Sequence, residues 1–158
     1  MPDVKAIPEG YSTVTPYLFI KGAASAIDYY KEVFGAQEIM RMIAPNGLIG
    51  HAELRIGDSM VMLSDENPQW GTKSPQTLGG SATSLHVYVE DVDAVVHGAV
   101  DAGAQLIRPV KDQFYGDRSG SLLDPFGHIW SVATHIEDVS PEEIEKRMTA
   151  AMSQAAGG

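Results

Sequence analysis

The chain contains one pattern twice. The tripeptide Gly-Ala-Gln stands at residues 35–37 and again at 103–105. In both places it closes an apolar segment with helical spacing and opens an alternating one. Glycine suits the left-handed position that ends a helix. Because an internal repeat decides the architecture, the sequence predicts two copies of one supersecondary unit within its 158 residues.

Both copies are predicted to have the order strand, helix, strand, strand, strand. In the first copy these elements are expected at residues 13–20, 23–34, 37–43, 50–56 and 60–64. In the second copy they are expected at residues 84–89, 92–102, 105–110, 119–123 and 129–134. Turn sequences at Pro45-Asn46-Gly47 and Gly57-Asp58 support the hairpins, since Gly and Asn tolerate positive φ.

We predict one domain over residues 1–158, with module one at about 11–65 and module two at about 82–136. Residues 66–81, the connecting segment, are rich in Pro and Gly and are expected to form a long loop or flap. Trp70 within it is expected to pack over a binding face or at a dimer contact. Ser140, followed by Pro and Glu, predicts the capped start of a short helix at about 140–152.

Composition excludes several classes of function. The chain has 11 Lys plus Arg against 21 Asp plus Glu, a net charge of −10, and no cysteine. Such a charge disfavours nucleic acid and anionic membrane surfaces, and the missing thiols exclude disulfides and thiolate metal sites. No apolar run approaches the length of a membrane span and no signal peptide pattern is present. We therefore expect a cytoplasmic protein whose partner is a small molecule or another protein.

Strand alternation separates two faces. One row of each strand is apolar and is expected to lie under the helices. The opposite rows carry polar-tipped, aromatic and thioether side chains suited to a flat organic ligand, and two sheets would gather them into a semi-polar cup. The residues of these rows that we single out are Tyr17, Phe19, His51, Glu53, Met60, Met62, His86 and Tyr88.

Several segments resemble the vicinal oxygen chelate superfamily, which comprises the glyoxalases, bleomycin-resistance proteins and extradiol dioxygenases. They are residues 26–35 (AIDYYKEVFG), 89–94 (VEDVDA) and 124–128 (DPFGH). Within that group, residues 51–54 (HAEL), 63–66 (LSDE), 114–118 (FYGDR) and 124–130 (DPFGHIW) are similar to the PhnB-like branch. The resemblance runs from about Tyr11 to Arg147. It implies an α+β fold of two βαβββ modules, a cup-shaped mixed sheet and a homodimer.

The resemblance also implies where a divalent metal would be held. Registering the motifs on the family pattern places Thr15, Met62, Ser84 and Ser131 at the four ligand positions. These side chains lack the imidazole and carboxylate donors that such metals require. We therefore expect no cofactor at the customary site.

Other residues are candidates for chemistry. His51 and Glu53 share a strand face and are predicted to form a dyad or half of a relocated metal site. His86, two residues along the same face from Ser84, is a candidate replacement for the missing ligand or a candidate acid or base, with a hydrogen-bonding cavity histidine as the alternative. Arg118 is predicted either to bind an anionic group with its N–H fork or to form a structural ion pair.

The predicted function is a small-molecule-binding protein without the customary metal, which sequesters an organic ligand. The ligand-binding residues would be Tyr17, Phe19, His51, Met60, Met62, Trp70, His86, Tyr88 and Arg118. The alternative is an isomerase, lyase or hydrolase that uses His51, Glu53 and His86, with or without a relocated metal. A module that acts only through protein contacts is least favoured, since it has no need of polar residues on its inner face.

Overall fold

The computed structural model describes residues 3–156. They divide into two compact units, the first ending at Ala82 and the second beginning at Thr83. Both units have the predicted order of strand, helix and three strands. The union of the two units in one domain remains a prediction. No helix among residues 3–156 is long and apolar enough to cross a membrane.

The first unit is a four-stranded sheet with one long helix. Its elements are β1 (Tyr17–Ile20), α1 (Ala23–Phe34), β2 (Gln37–Ile43), β3 (Ile49–Ile56) and β4 (Ser59–Asp65). The strand order is β1-β4-β3-β2, with β1 parallel to β4 and the other pairs antiparallel. The connecting segment follows β4 and contains a 3₁₀ turn at Pro68–Trp70 and a one-turn helix, α2, at Pro75–Leu78.

The second unit repeats this topology. Its elements are β5 (Ser84–Tyr88), α3 (Val92–Asp101), β6 (Gln105–Asp112), β7 (Asp117–Leu123), β8 (Ile129–His135) and the terminal α4 (Pro141–Ala156). The strand order is β5-β8-β7-β6, the equivalent of the first unit. The predicted α+β class and paired βαβββ modules are thus confirmed within each unit.

The predicted boundaries needed correction at several ends. The strand predicted at 13–20 begins only at Tyr17, because Pro16 has no N–H to donate to a neighbouring strand. Its carbonyl instead accepts the N–H of Met62. The terminal helix continues past 152 to Ala156, and the connecting segment contains helical turns rather than a plain loop, with the Ser74 side chain capping α2.

The predicted apolar rows form the core of each sheet. In the first unit Ala52 pairs with Leu63 and Leu54 with Val61 across β3 and β4, and all four are buried. In the second unit the row centres on Trp130, which pairs with Leu122 and is 2% exposed. The opposite rows are left on the other face of each sheet, as alternation predicts.

Local signals were correct at three helix ends. Gly35 closes α1 with a φ of 66°, a conformation that glycine adopts without steric cost. The side chain of Asp91 accepts the N–H of Ala94 at the start of α3. The hydroxyl of Ser140 accepts the N–H of Glu143 at the start of α4.

Gly116, just before β7, is the position least tolerant of a side chain. Its φ is +102°, and an added Cβ would lie 2.1 Å from the carbonyl oxygen of Glu137. We predict that Gly116→Ala lowers the free energy of unfolding by about 3 kcal/mol, since positive φ and overpacking add. Gly57→Ala is the matched control, because Gly57 has a φ of +59° and open space around its Cβ.

The control should cost only about 1 kcal/mol, the strain of the left-handed conformation. Urea unfolding of both variants measures the difference. Equal losses in the two variants would show that the approach of residue 137 to residue 116 is not part of the folded state.

Candidate functional site

The carboxylate of Asp65, at the end of β4, holds three parts of the first unit together. It accepts the N–H groups of Gly22 and Ala23 at 3.1 and 3.0 Å and that of Ile49 at 2.7 Å. Gly22 is the N-cap residue of α1 and has no side chain to cap it, so Asp65 supplies the cap and a negative charge at the helix N-terminus. The start of α1, the start of β3 and the end of β4 are thereby fixed.

A cavity of about 620 Å³ lies beside this junction. Its walls come from β1, the β2–β3 hairpin, the end of β4 and the connecting segment. Three aromatic side chains line it, Tyr17, Phe19 and Trp70, and the rings of the first two have centroids 5.3 Å apart. Its other lining residues are Ala44, Asn46, Leu48, Ile49, Gly50, Ser64, Asp65, Glu66, Asn67, Pro68, Gln69 and Thr72.

Glu66 is the second acidic residue of the cavity wall, and its carboxylate is held in place. It accepts the backbone N–H of Ser74 at 2.9 Å and the hydroxyl of Thr77 at 2.7 Å. These hydrogen bonds, from Ser74 first and Thr77 second, hold the pKa of Glu66 below its usual range. The group is therefore ionised at neutral pH, and it ties the connecting segment to the end of β4.

Four polar side chains on the open face of the first sheet form one chain of hydrogen bonds. The hydroxyl of Tyr17 lies 2.9 Å from Nδ1 of His51, and Nε2 of His51 lies 2.9 Å from the carboxylate of Glu53. The hydroxyl of Tyr11 donates to the other oxygen of Glu53. In the tautomer of His51 with its hydrogen on Nε2, Nε2 donates to the carboxylate of Glu53 and Nδ1 accepts from the hydroxyl of Tyr17.

This chain joins two sets of predicted residues. His51 and Glu53 are hydrogen-bonded to each other, which is the dyad alternative of the prediction. Tyr17 links them to the cavity wall. Tyr11 was not predicted to take part. It lies in the coil before β1, and no pattern in the sequence connects it with Glu53.

Two methionines of the predicted set differ in access. Met62 lies between Tyr17 and Glu53 in the strand register, on the open face. Met60 is only 5% exposed, so it serves as core filling and offers little surface to a ligand.

In the second unit, His86 is paired with a hydroxyl group. Its Nδ1 lies 2.9 Å from Oγ of Ser131, and its ring stands edge-on to that of Tyr88, with centroids 4.8 Å apart. This is the hydrogen-bonding arrangement that the sequence left open for His86, on the open face of the second sheet.

A second polar network, centred on Asp117, continues along that face. Asp117 is 5% exposed, accepts the hydroxyl of Tyr88 at 3.0 Å and contacts Nδ1 of His135 at 2.7 Å. Nε2 of His135 is 2.7 Å from Asp138. The bond to Asp117 raises the pKa of Tyr88, and the bonds to Asp117 and Asp138 raise the pKa of His135. Strand alternation does not predict that the partner of His135 is the buried carboxylate of Asp117.

Arg118 adopts the ion-pair alternative rather than offering a free fork. Its Nε and Nη2 donate to Asp93 at 2.8 and 2.9 Å, and its Nη1 donates to Asp112 at 2.9 Å. These bonds lower the pKa of Asp93. The guanidinium joins α3 to β6 and β7, and Arg118 is not placed to clamp an anionic ligand.

The strand register shows the surroundings of the four expected metal positions. Thr15 precedes β1, and the residue beside Met62 is Tyr17. In the second unit Ser131 lies beside His86 rather than Ser84. The hydroxyl and thioether groups of Thr15, Met62, Ser84 and Ser131 do not suit a divalent metal, and His86 beside Ser131 adds one imidazole, fewer than the three donors of a tight site. Residues 3–156 contain no group of three or more His, Asp or Glu side chains placed to hold a metal ion.

The two units and their open polar faces define a protein of paired βαβββ modules. The profile of the Glyoxalase/Bleomycin resistance protein/Dioxygenase superfamily matches residues 12–132, and the chain belongs to that family.

The chain is also similar to other proteins in sequence and in structure. An uncharacterized protein of Mycobacterium tuberculosis is 43% identical over 139 residues, which cover 86% of this chain and 82% of the relative. The crystal structure of TioX from Micromonospora sp. ML1 has a TM-score of 0.61 at 26% identity and covers 82% of this chain and all of that one. The PhnB protein of Bacillus cereus, at 21% identity, shares the fold with a TM-score of 0.62 over 78% of this chain and 99% of its own.

The raised pKa of His135 predicts a pH-dependent stability. A histidine with a higher pKa in the folded state stabilises the fold below its unfolded pKa, and this contribution is lost as the pH rises through the folded value. We expect the contribution of His135 to the free energy of unfolding to be lost as the pH rises above about 6.5, the ordinary histidine pKa, and this loss to be absent from His135→Gln.

Urea unfolding over this rise in pH measures both slopes. Asp138→Asn is the intermediate case, since it removes the exposed partner and leaves Asp117, so part of the slope should remain. Identical slopes in the wild type and in His135→Gln would contradict the assignment.

Proposed function

We propose that this chain binds a small organic ligand with a planar aromatic ring in the cavity of the first unit. The observation that carries the proposal is the meeting of Tyr17, Phe19 and Trp70 around one cavity of about 620 Å³. That volume is within the range of about 300 to 1,000 Å³ that is usual for ligand sites. Aromatic faces bind flat ligands with little loss of side-chain entropy.

Trp70 supports this interpretation strongly. It is 81% exposed, although it is the largest side chain of the connecting segment. The segment around it is ordered by hydrogen bonds, since Asn67 and Thr72 pair through both backbone and side chain. An exposed indole on an ordered support is suited to cover a bound ring.

The polar lining supplies orientation. The polar residues Asn46, Asn67 and Thr72 line the same cavity as the rings. Ligand sites commonly combine an apolar wall with a few such groups.

The proposal includes a homodimer, which the family resemblance implies. Sedimentation equilibrium tests it, since a mass near 17.0 kDa would show a monomer.

We predict that Trp70→Ala weakens binding of two-ring aromatic compounds at least about tenfold, because the stacking face is removed. Isothermal titration calorimetry with indole, quinoline and 2-naphthol measures the affinities. Leu78→Ala is the matched control, since Leu78 is exposed in the same segment and does not line the cavity.

The control variant should bind as the wild type does. Equal weakening in both variants would mean that the segment acts through its folding rather than through Trp70. If none of these compounds binds at about 1 mM, the aromatic-ligand proposal is wrong.

A second candidate function is catalysis, and the hydrogen-bond chain on the first sheet favours it. Tyr17 lines the cavity, and His51, oriented by Glu53, is placed to accept the proton of its hydroxyl. This order of groups, in which an acid or base at the ligand is oriented by a second and third group, is typical of proton transfer. The reaction would be an isomerisation, elimination or hydrolysis, with Tyr17 acting on the ligand.

Tyr17→Phe distinguishes catalysis from sequestration, because it keeps the ring and removes the hydroxyl. If the chain is an enzyme, a bound compound that the wild type converts should bind the variant within about twofold and turn over at least about 100-fold more slowly. Mass spectrometry of the incubated compound measures conversion. A wild type that returns every bound compound unchanged would leave sequestration as the function.

A further inference from the structure

We infer that the ligand of the cavity is an organic cation, with its positive charge beside Glu66 and its apolar ring against Tyr17, Phe19 and Trp70. The inference rests on the proposed function, since it names the ligand class of the same cavity. The charges of the lining residues, and the hydrogen bonds that fix them, support it.

The charged side chains of the cavity wall are all acidic. Asp65 and Glu66 line it, and no Lys, Arg or His is among the lining residues within the described part of the chain. An anionic ligand would meet two carboxylates and no fixed positive charge. Lys21 is near enough to help lower the pKa of Glu66, as the weakest of the causes, but it does not line the cavity.

The two carboxylates have different capacities for a ligand. Asp65 is occupied by three backbone N–H groups, so its charge is mostly engaged in holding the fold. Oε1 of Glu66 accepts the backbone N–H of Ser74, and the hydroxyl of Thr77 lies within hydrogen-bond distance of both carboxylate oxygens. A carboxylate has about four acceptor positions, so Glu66 retains capacity for a further charged partner.

The aromatic side chains favour the same ligand charge. A cation over the face of Trp, Tyr or Phe is attracted by the negative π face of the ring. Three such rings and a fixed carboxylate in one cavity therefore attract a cation at short range and repel an anion. A quaternary or protonated amine on a planar ring would interact favourably with both the aromatic side chains and the carboxylate.

Three probes with one ring system test the charge. They are trimethyl(2-naphthyl)ammonium, the neutral 2-(2-naphthyl)propan-2-ol, which has nearly the same shape, and 2-naphthalenesulfonate. Calorimetry at about 0.15 M salt limits the general attraction of a chain with net charge −10 for cations. We expect the ammonium probe to bind about tenfold more tightly than the alcohol, and the sulfonate more weakly than both.

Variants assign this preference to Glu66. Glu66→Gln should lower the affinity for the ammonium probe about fivefold to tenfold and leave that for the alcohol unchanged. Glu66→Asp keeps the charge and should retain the preference. Asp58→Asn is the matched control, since it removes the same charge from a hairpin outside the cavity wall, and it should change neither affinity.

The outcomes separate this inference from the proposed function. Equal binding of ammonium and alcohol, with both lost in Trp70→Ala, would overturn the cation and leave the aromatic-ligand site standing. Tightest binding of the sulfonate would also overturn the cation. An equal loss of ammonium binding in Asp58→Asn would show that net charge rather than Glu66 selects the ligand. Failure of all three probes to bind at about 1 mM would overturn both proposals.

Discussion

The carboxylate of Asp65 is the constraint on which the first unit depends. A helix whose N-cap is Gly22 has no side-chain acceptor of its own, and the first N–H groups of a helix must find partners. Asp65 supplies that acceptor for Gly22 and Ala23 from the end of β4, and it also accepts from Ile49 at the start of β3. One residue further on, Glu66 fixes the connecting segment. The cavity therefore exists where these hydrogen bonds bring β1, the hairpin and the segment around one space.

The two units share a topology, but the start of the helix is capped by different residues in each. In the second unit the helix start is capped by its own Asp91. The end of β8 reaches it through Thr134, whose hydroxyl accepts from Val92 and donates to Val89. The first sheet therefore uses the acid at the end of β4, Asp65, as a helix cap, whereas the acid of the second sheet, Asp117 at the start of β7, binds Tyr88 and His135. This difference explains how one repeat presents distinct polar networks on its two open faces.

Local and periodic features could be predicted from the sequence. They include both ends of α1, the caps at Gly35 and Asp91, and the two faces of each strand. Prediction failed where a partner is distant along the chain. Alternation predicted that the first strand begins at residue 13, whereas Pro16 delays β1 to Tyr17, which lies beside Met62. Arg118 pairs with Asp93, which lies on α3. The alternation of residues along a strand does not predict a partner on a helix. The contact of Tyr11 with Glu53 needs a fixed coil, and periodicity does not predict the path of a coil.

The charge of the whole chain and the charge of the cavity act over different distances. A net charge of −10 attracts any cation, but at physiological salt this attraction is screened beyond about 8 Å. Selection of the proposed cation would therefore depend on a carboxylate that is fixed in the cavity wall, since a mobile surface acid loses side-chain entropy when it binds. Glu66 is fixed by Ser74 and Thr77 before any ligand arrives. A held carboxylate beside Trp70 and Tyr17 distinguishes a selective site from an acidic surface.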